Sequence, residues 1–133
     1  MVIEEYPPNY HKIKSNFEIG DSKPLFAYSP HIYNPFKIYV DPTLYFHESI
    51  HIKQQDGKPE AWWDKYILDK AFRLEQETEA NQKQWELFHT VVKDRNERYR
   101  FKIQLAKNMS SKLYGNMVSY SEAIKLLNNE ITN

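Results

Sequence analysis

All seven prolines, Pro7, Pro8, Pro24, Pro30, Pro35, Pro42 and Pro59, fall within the first 59 of 133 residues, and no other feature limits the fold so strongly. Proline fixes φ and removes a backbone donor, so it interrupts helix interiors and strand ladders alike. Residues 1–41 should therefore form an irregular layer with short extended pieces and no helices. Half of the aromatic residues precede His47, so this layer is aromatic-rich. Its best strand candidate is Phe36-Lys37-Ile38-Tyr39-Val40, placed to run as an edge strand beside whatever follows. Residues 42–133 are open to long helices. With 41% hydrophobic and 15% aromatic residues, the length suits one compact domain over 1–133. The expected class is mainly α (α+β), helical, with one or two short edge strands.

Helix boundaries are readable in the second part. Asp41-Pro42 is a start signal, an N-cap carboxylate followed by proline at the first helical position, and Asp56-Gly57 with Pro59 is a stop, which predicts a helix from about Pro42 to Gln55. Its apolar residues Leu44, Tyr45, Phe46, Ile50 and Ile52 surround most of its circumference, so it should be buried and central. A short helix from Pro59 to Leu68 should follow, with Asp69 capping the next. From Lys70 the positions Leu74, Thr78, Asn81, Trp85, Phe88 and Val92 alternate in steps of four and three, and Tyr99, Ile103 and Ala106 prolong that inward stripe. A break is expected near Thr90-Val91-Val92, where β-branched residues cluster. A loop from Ser110 through Gly115 and a capping box, Ser119-x-x-Glu122, lead to a last helix from Tyr120 to about Ile131.

The chemistry concentrates in His47-Glu48-Ser49-Ile50-His51, which reads H-E-x-x-H. Residues four apart on a helix share a face, so His47 and His51 can bind one metal ion while Glu48 reaches a water on it as general base. Zinc sites of this kind need a third protein ligand and an open position. Among Glu75, Glu77 and Glu79, helical geometry turns only Glu77 toward the core stripe; the other two turn to solvent. Ala80, one turn further on, leaves room for another helix to approach.

His47-Glu48-x-x-His51 followed by Glu77-x-x-Ala80 resembles the gluzincin metallopeptidases, whose third ligand is a Glu in an E-x-x-A setting. The stretches His51-Ile52-Lys53-Gln54-Gln55, Trp62-Trp63, Phe72 to Ala80 and Ser110 to Gly115 look like those of small metallopeptidase-like proteins encoded by tailed bacteriophages. The resemblance covers roughly residues 38–125. It implies a zincin-like fold, a Zn2+ ion on His47, His51 and Glu77, and hydrolysis of a peptide bond by a Glu48-activated water. It brings no defined substrate: a peptide, a protein and the stem peptide of a bacterial wall all fit. Where those proteins tend to carry Tyr after E-x-E-A, this chain has Asn81.

Other classes lose ground. Lys plus Arg and Asp plus Glu are both 18, so no global field recruits nucleic acid or an acidic membrane surface. The absence of cysteine removes disulfides, thiolate zinc sites and cysteine nucleophiles, and three glycines make no phosphate loop. No basic start precedes an apolar run, and no stretch approaches the 18 or so apolar residues of a membrane span. The expected location is the cytoplasm of the bacterial host, or a virion. His11, His31 and His89 read as structural or exposed. Tyr28, Tyr33, Tyr39 and Tyr114 are the tyrosines whose segments could border the site and stabilise an oxyanion. The competing functional reading is a zinc-stabilised module that assembles with phage structural proteins and cuts nothing; a metal-free helical interaction domain is the third.

Overall fold

The computed structural model describes residues 1–132. Among them the chain is mainly helical. Strand β1 (Val2–Ile3) and helix α1 (Tyr10–Asn16) precede a hairpin of β2 (Phe26–Tyr28) and β3 (His31–Tyr33). Then come α2 (Pro42–Gln55), α3 (Pro59–Leu68), α4 (Lys70–Val91), α5 (Arg95–Met109), a 3-10 turn (Lys112–Tyr114) and α6 (Tyr120–Thr132). The three strands form one sheet in the order β1-β3-β2, with β1 parallel and β2 antiparallel to β3. No helix among the described residues is long and apolar enough to cross a membrane.

The proline-rich layer departs from expectation in two places. It contains a helix, α1, which starts two residues after Pro8 with the Tyr10 N–H bonded to the Pro7 carbonyl. Proline blocks helix interiors but tolerates the entry, and no proline falls between Asn9 and Lys23. Nor is Phe36–Val40 a strand. Lys37 adopts a left-handed φ of 55°, and the buried Asn34 side chain bonds both the N–H and the carbonyl of Ile38, taking the groups that a ladder would use.

The helical part follows its sequence signals closely. Asp41 Oδ1 accepts from the N–H groups of Thr43 and Leu44 at 2.9 and 3.1 Å, and Pro42 opens α2. Asp56 takes the left-handed conformation at its end. The long periodic segment breaks where β-branched residues cluster: α4 stops at Val91, and Asp94 caps α5 through the N–H groups of Asn96 and Glu97. Beyond that break the expected stripe holds at Ala106, which is buried, but not at Tyr99, which is exposed, and Ile103 is half-buried; α5 presents Leu105 and Met109 beside Ala106.

Two apolar clusters result. One joins Trp85 of α4 to Leu105, Ala106, Met109, Met117, Ala123 and Leu127; the other joins the layer to α3 through Ile13, Phe26, Trp62, Trp63 and Tyr66. The two ends are tied by the buried Arg73. Its guanidinium donates to the carbonyls of Tyr66, Ile67 and Tyr114 at 2.8, 3.3 and 3.0 Å and lies over the Phe17 ring. Gly115, at φ 75°, lies directly against it: an added Cβ would sit 3.0 Å from Arg73 Nη2 and 3.4 Å from Phe17. Gly115→Ala is therefore expected to destabilise the protein by about 1–2 kcal/mol from the backbone alone, with the contact adding to it. Urea denaturation checks this, and unchanged stability would mean that the turn is not held as described.

Candidate metal centre

Helix α2 buries the side of itself that carries polar residues. Its fully buried positions are Thr43, His47, Glu48, His51 and Gln55, whereas Leu44, Phe46, Ile50 and Ile52 are only half-buried and Tyr45 is exposed. The expectation of a helix buried all round on its apolar residues is thus corrected. The polar stripe faces α4, whose own buried positions are Arg73, Glu77, Ala80, Asn81, Gln84 and Trp85. Ala80, with no exposed surface, faces the interior one turn beyond Glu77, where a larger side chain would hold the helices apart.

This packing brings His47, His51 and Glu77 into one group whose ligand atoms all lie within 4.8 Å of one another. Glu77 reaches both imidazoles, with Oε1 3.3 Å from His47 Nε2 and Oε2 3.1 Å from His51 Nε2. Glu75 and Glu79 are exposed, as the helical geometry requires. Each member of the trio is held from behind. His47 Nδ1 lies 2.9 Å from Gln84 Oε1, and His51 Nδ1 lies 2.7 Å from Gln54 Oε1. Since a glutamine oxygen only accepts, both rings carry their proton on Nδ1 and turn Nε2 to the centre. Gln84 Nε2 continues to Thr43 Oγ1 at 3.3 Å, and Thr43 donates to Asp41 at 2.6 Å. Gln54 Nε2 is fixed by the Gln76 carbonyl at 3.0 Å and Glu79 at 2.8 Å. The Tyr66 hydroxyl donates to Glu77 Oε2 at 2.6 Å.

Amid this bonding two buried atoms have no hydrogen-bond partner among the described residues, His51 Nε2 and Glu77 Oε1. Both point into the group. Leaving a buried polar atom unpaired costs about 1–3 kcal/mol, which a proton between His51 Nε2 and Glu77 Oε2, or a cation within the group, would offset. A cation fits: the set is two imidazole nitrogens and a carboxylate, and the 3.1–3.3 Å separations match those of ligands sharing one small divalent ion. The buried group could hold a metal ion.

The charges point the same way. Burial opposes the charged form of His51, yet the Glu77 carboxylate beside it carries the ring up to about 9. Burial likewise opposes the Glu77 anion, but His51 and then His47 hold its carboxyl far below the usual carboxylate range. Glu48 behaves oppositely: burial pushes it up, and the two histidines only partly offset this. It is not one of the trio; its Oε2 lies 3.7 Å from His47 Nε2.

Two cavities meet at Glu48. One, of about 50 Å³, is walled by Phe17, Phe26, Trp62 and Trp63 and reaches His51 and Glu77. The other, of about 230 Å³, reaches His47 and is lined by Lys23, Asn81, Gln84, Asn108 and Ser111. Pro24 and Leu25, leading into edge strand β2, border both, as do Leu113 and Tyr114. The strand beside the centre is therefore β2 with the residues leading into it, and of residues 36–40, which form no strand, Ile38 alone lines a cavity. Of the four tyrosines considered, only Tyr114 lines these cavities; Tyr28 and Tyr33 lie in the sheet and Tyr39 is exposed. Burial raises the Tyr114 hydroxyl well above its ordinary value, with the Glu77 and Glu48 carboxylates adding to the effect. Tyr66, Gln54 and Gln84 were missed as site residues. For Gln54 a weak signal existed, its i+3 spacing from His51 on one helix. His11 and His89 lie outside this group.

No protein-family model, curated protein or solved structure matches the chain.

Two outcomes are expected. Tyr66→Phe and Gln84→Leu should each weaken metal affinity about 10- to 100-fold, measured by chelator competition, because the ligand behind which they stand loses its orientation. Because His51 is protonated up to about pH 9, metal uptake near neutral pH must expel that proton. Calorimetric titration of chelator-treated protein at pH 7, in buffers of differing ionisation enthalpy, should show about one proton released per ion and an affinity that rises with pH toward 9. Uptake without proton release would contradict the pairing of His51 with Glu77.

Proposed function

We propose that this chain is a zinc-dependent peptidase of gluzincin type, hydrolysing an amide bond in a peptide or protein. The observation that carries this reading is the division of roles on α2: His47 and His51 join Glu77 in a buried trio, while Glu48 stays outside it at the junction of two cavities. A zinc ion held by the trio supplies Lewis acidity, activating a water and polarising the scissile carbonyl. The protein's part is positional and acid–base. His47 and His51 present Nε2, fixed by Gln84 and Gln54, and Glu77 completes the set with one oxygen held by Tyr66. The Glu48 carboxylate takes the proton from the attacking water and passes it to the departing amine. Its pKa, raised by burial, moves it toward the working pH, where a general base is most effective. Tyr114, whose hydroxyl burial keeps protonated, is available as a hydrogen-bond donor to the developing oxyanion.

The alternative, a zinc-stabilised assembly module, calls for a closed set of four protein ligands. Among the described residues the group has three, and cavities reach it from two sides, which favours the hydrolase.

Glu48→Gln keeps shape and one acceptor while removing the base. Zinc content and melting temperature should hardly change, while hydrolysis of a peptide library should fall about 10²–10⁴-fold. Zinc loss or unfolding in Glu48→Gln would make Glu48 structural and remove the enzymatic reading at its centre.

A further inference from the structure

Resting on the peptidase reading, we infer that the cavity on the His47 side is a subsite for a carboxamide side chain, read by Asn81. The residue is 3% exposed on the inward face of α4, one turn beyond Glu77. Its Nδ2 donates to the Glu77 carbonyl at 2.8 Å, which turns Oδ1 the other way. Oδ1 accepts no hydrogen bond from any described residue and, unlike the fully enclosed orphans, remains open to the cavity that Asn81 lines. The other buried amide there is spent, since Gln84 uses its oxygen on His47 and its nitrogen on Thr43. Apart from Glu48, the proposed general base, Asn81 is therefore the buried side chain among the described residues left with an unused acceptor beside the cavity next to the trio.

A buried acceptor selects for donors. Water can satisfy it in the free protein, but a ligand that displaces the water without bringing an N–H or O–H leaves Oδ1 unpaired, at a cost felt directly in affinity. Donors at the rim define the rest of the ligand. Lys23 is exposed there, and the Asn108 amide, whose oxygen accepts from Gln104 at 3.0 Å, keeps its N–H groups free among the described residues. A group that donates at the bottom and accepts at the mouth is a primary carboxamide, the side chain of Gln or Asn. Across Glu48 the other cavity is aromatic, so it takes an apolar side chain. The substrate class is thus a peptide with a carboxamide residue on one side of the scissile bond and an apolar residue on the other.

The test is position-resolved mass spectrometry of a random peptide library cut by the zinc-loaded protein. Wild type should enrich Gln and Asn at one flanking position about tenfold over Leu, as expected for one hydrogen bond to an otherwise unpaired buried acceptor. Asn81→Leu should abolish that enrichment while the apolar preference on the opposite side persists. Asn81→Asp, which keeps an acceptor of the same size but, like the leucine variant, gives up the donation to the Glu77 carbonyl, should move the preference to Lys and Arg. Zinc content and melting temperature of each sample separate a lost acceptor from a lost fold. Cleavage without carboxamide enrichment, an enrichment that survives Asn81→Leu, or no shift in Asn81→Asp would overturn the subsite and leave the peptidase standing. Cleavage of no peptide by stoichiometrically zinc-loaded wild type would overturn the peptidase and the subsite together.

Discussion

The structure depends on burying a polar helix face. Five polar side chains of α2 are withdrawn from water against α4 and the β2 hairpin, and an unbonded buried group costs enough that several together would unfold a domain stable by only about 5–15 kcal/mol. Almost every one is met. Gln55 bonds the Ala27 carbonyl and the Ser29 N–H, fastening α2 to the β2 hairpin at 2.8 and 2.7 Å. His51 and His47 have their glutamines, Thr43 has Asp41, and Trp63 Nε1 shares the Ala27 carbonyl. The fold is arranged as two apolar clusters around a largely satisfied polar seam, and the two unsatisfied atoms within the His47, His51 and Glu77 group lie where a cation would fit.

Both histidines lean on neutral glutamines where a carboxylate would have raised their basicity. Behind the rings, acids stand only one step further back, Glu79 behind Gln54 and Asp41 behind Thr43 and Gln84. The Glu77 carboxylate is likewise oriented by a neutral donor, the Tyr66 hydroxyl.

How much of this was legible follows from where each signal resides. The ends of α2 were readable because capping is local: Asp41, Pro42, Asp56 and Pro59 act within a turn of themselves. Glu77 was readable because an inward helical position is a matter of phase, and the phase is set by many residues at once. The buried polar stripe was not, since Leu44, Tyr45, Phe46, Ile50 and Ile52 outvote it in any apolar count, and only tertiary pairing makes polar residues the better choice inside. Gln84 and Tyr66 gave no signal because their partners lie 37 and 11 residues away. The misplaced strand has a local cause that only coordinates reveal: Phe36–Val40 alternates suitably, but the amide of Asn34 captures its backbone before a neighbour can.

Arg73 joins parts that otherwise have separate purposes. It sits on α4 one turn before Glu77, and its three acceptors belong to the end of α3 and to the turn that supplies Leu113 and Tyr114 to the cleft. The wall of the cleft and the helix bearing Glu77 are thus indexed to one rigid fork. Side chains lining the cleft can be exchanged without disturbing the index, whereas an insertion or deletion in the turn would put at risk carbonyls and a cation that solvent cannot easily reach. The cleft is therefore expected to tolerate substitution and not change of loop length, adjustable in its chemistry and fixed in its gauge.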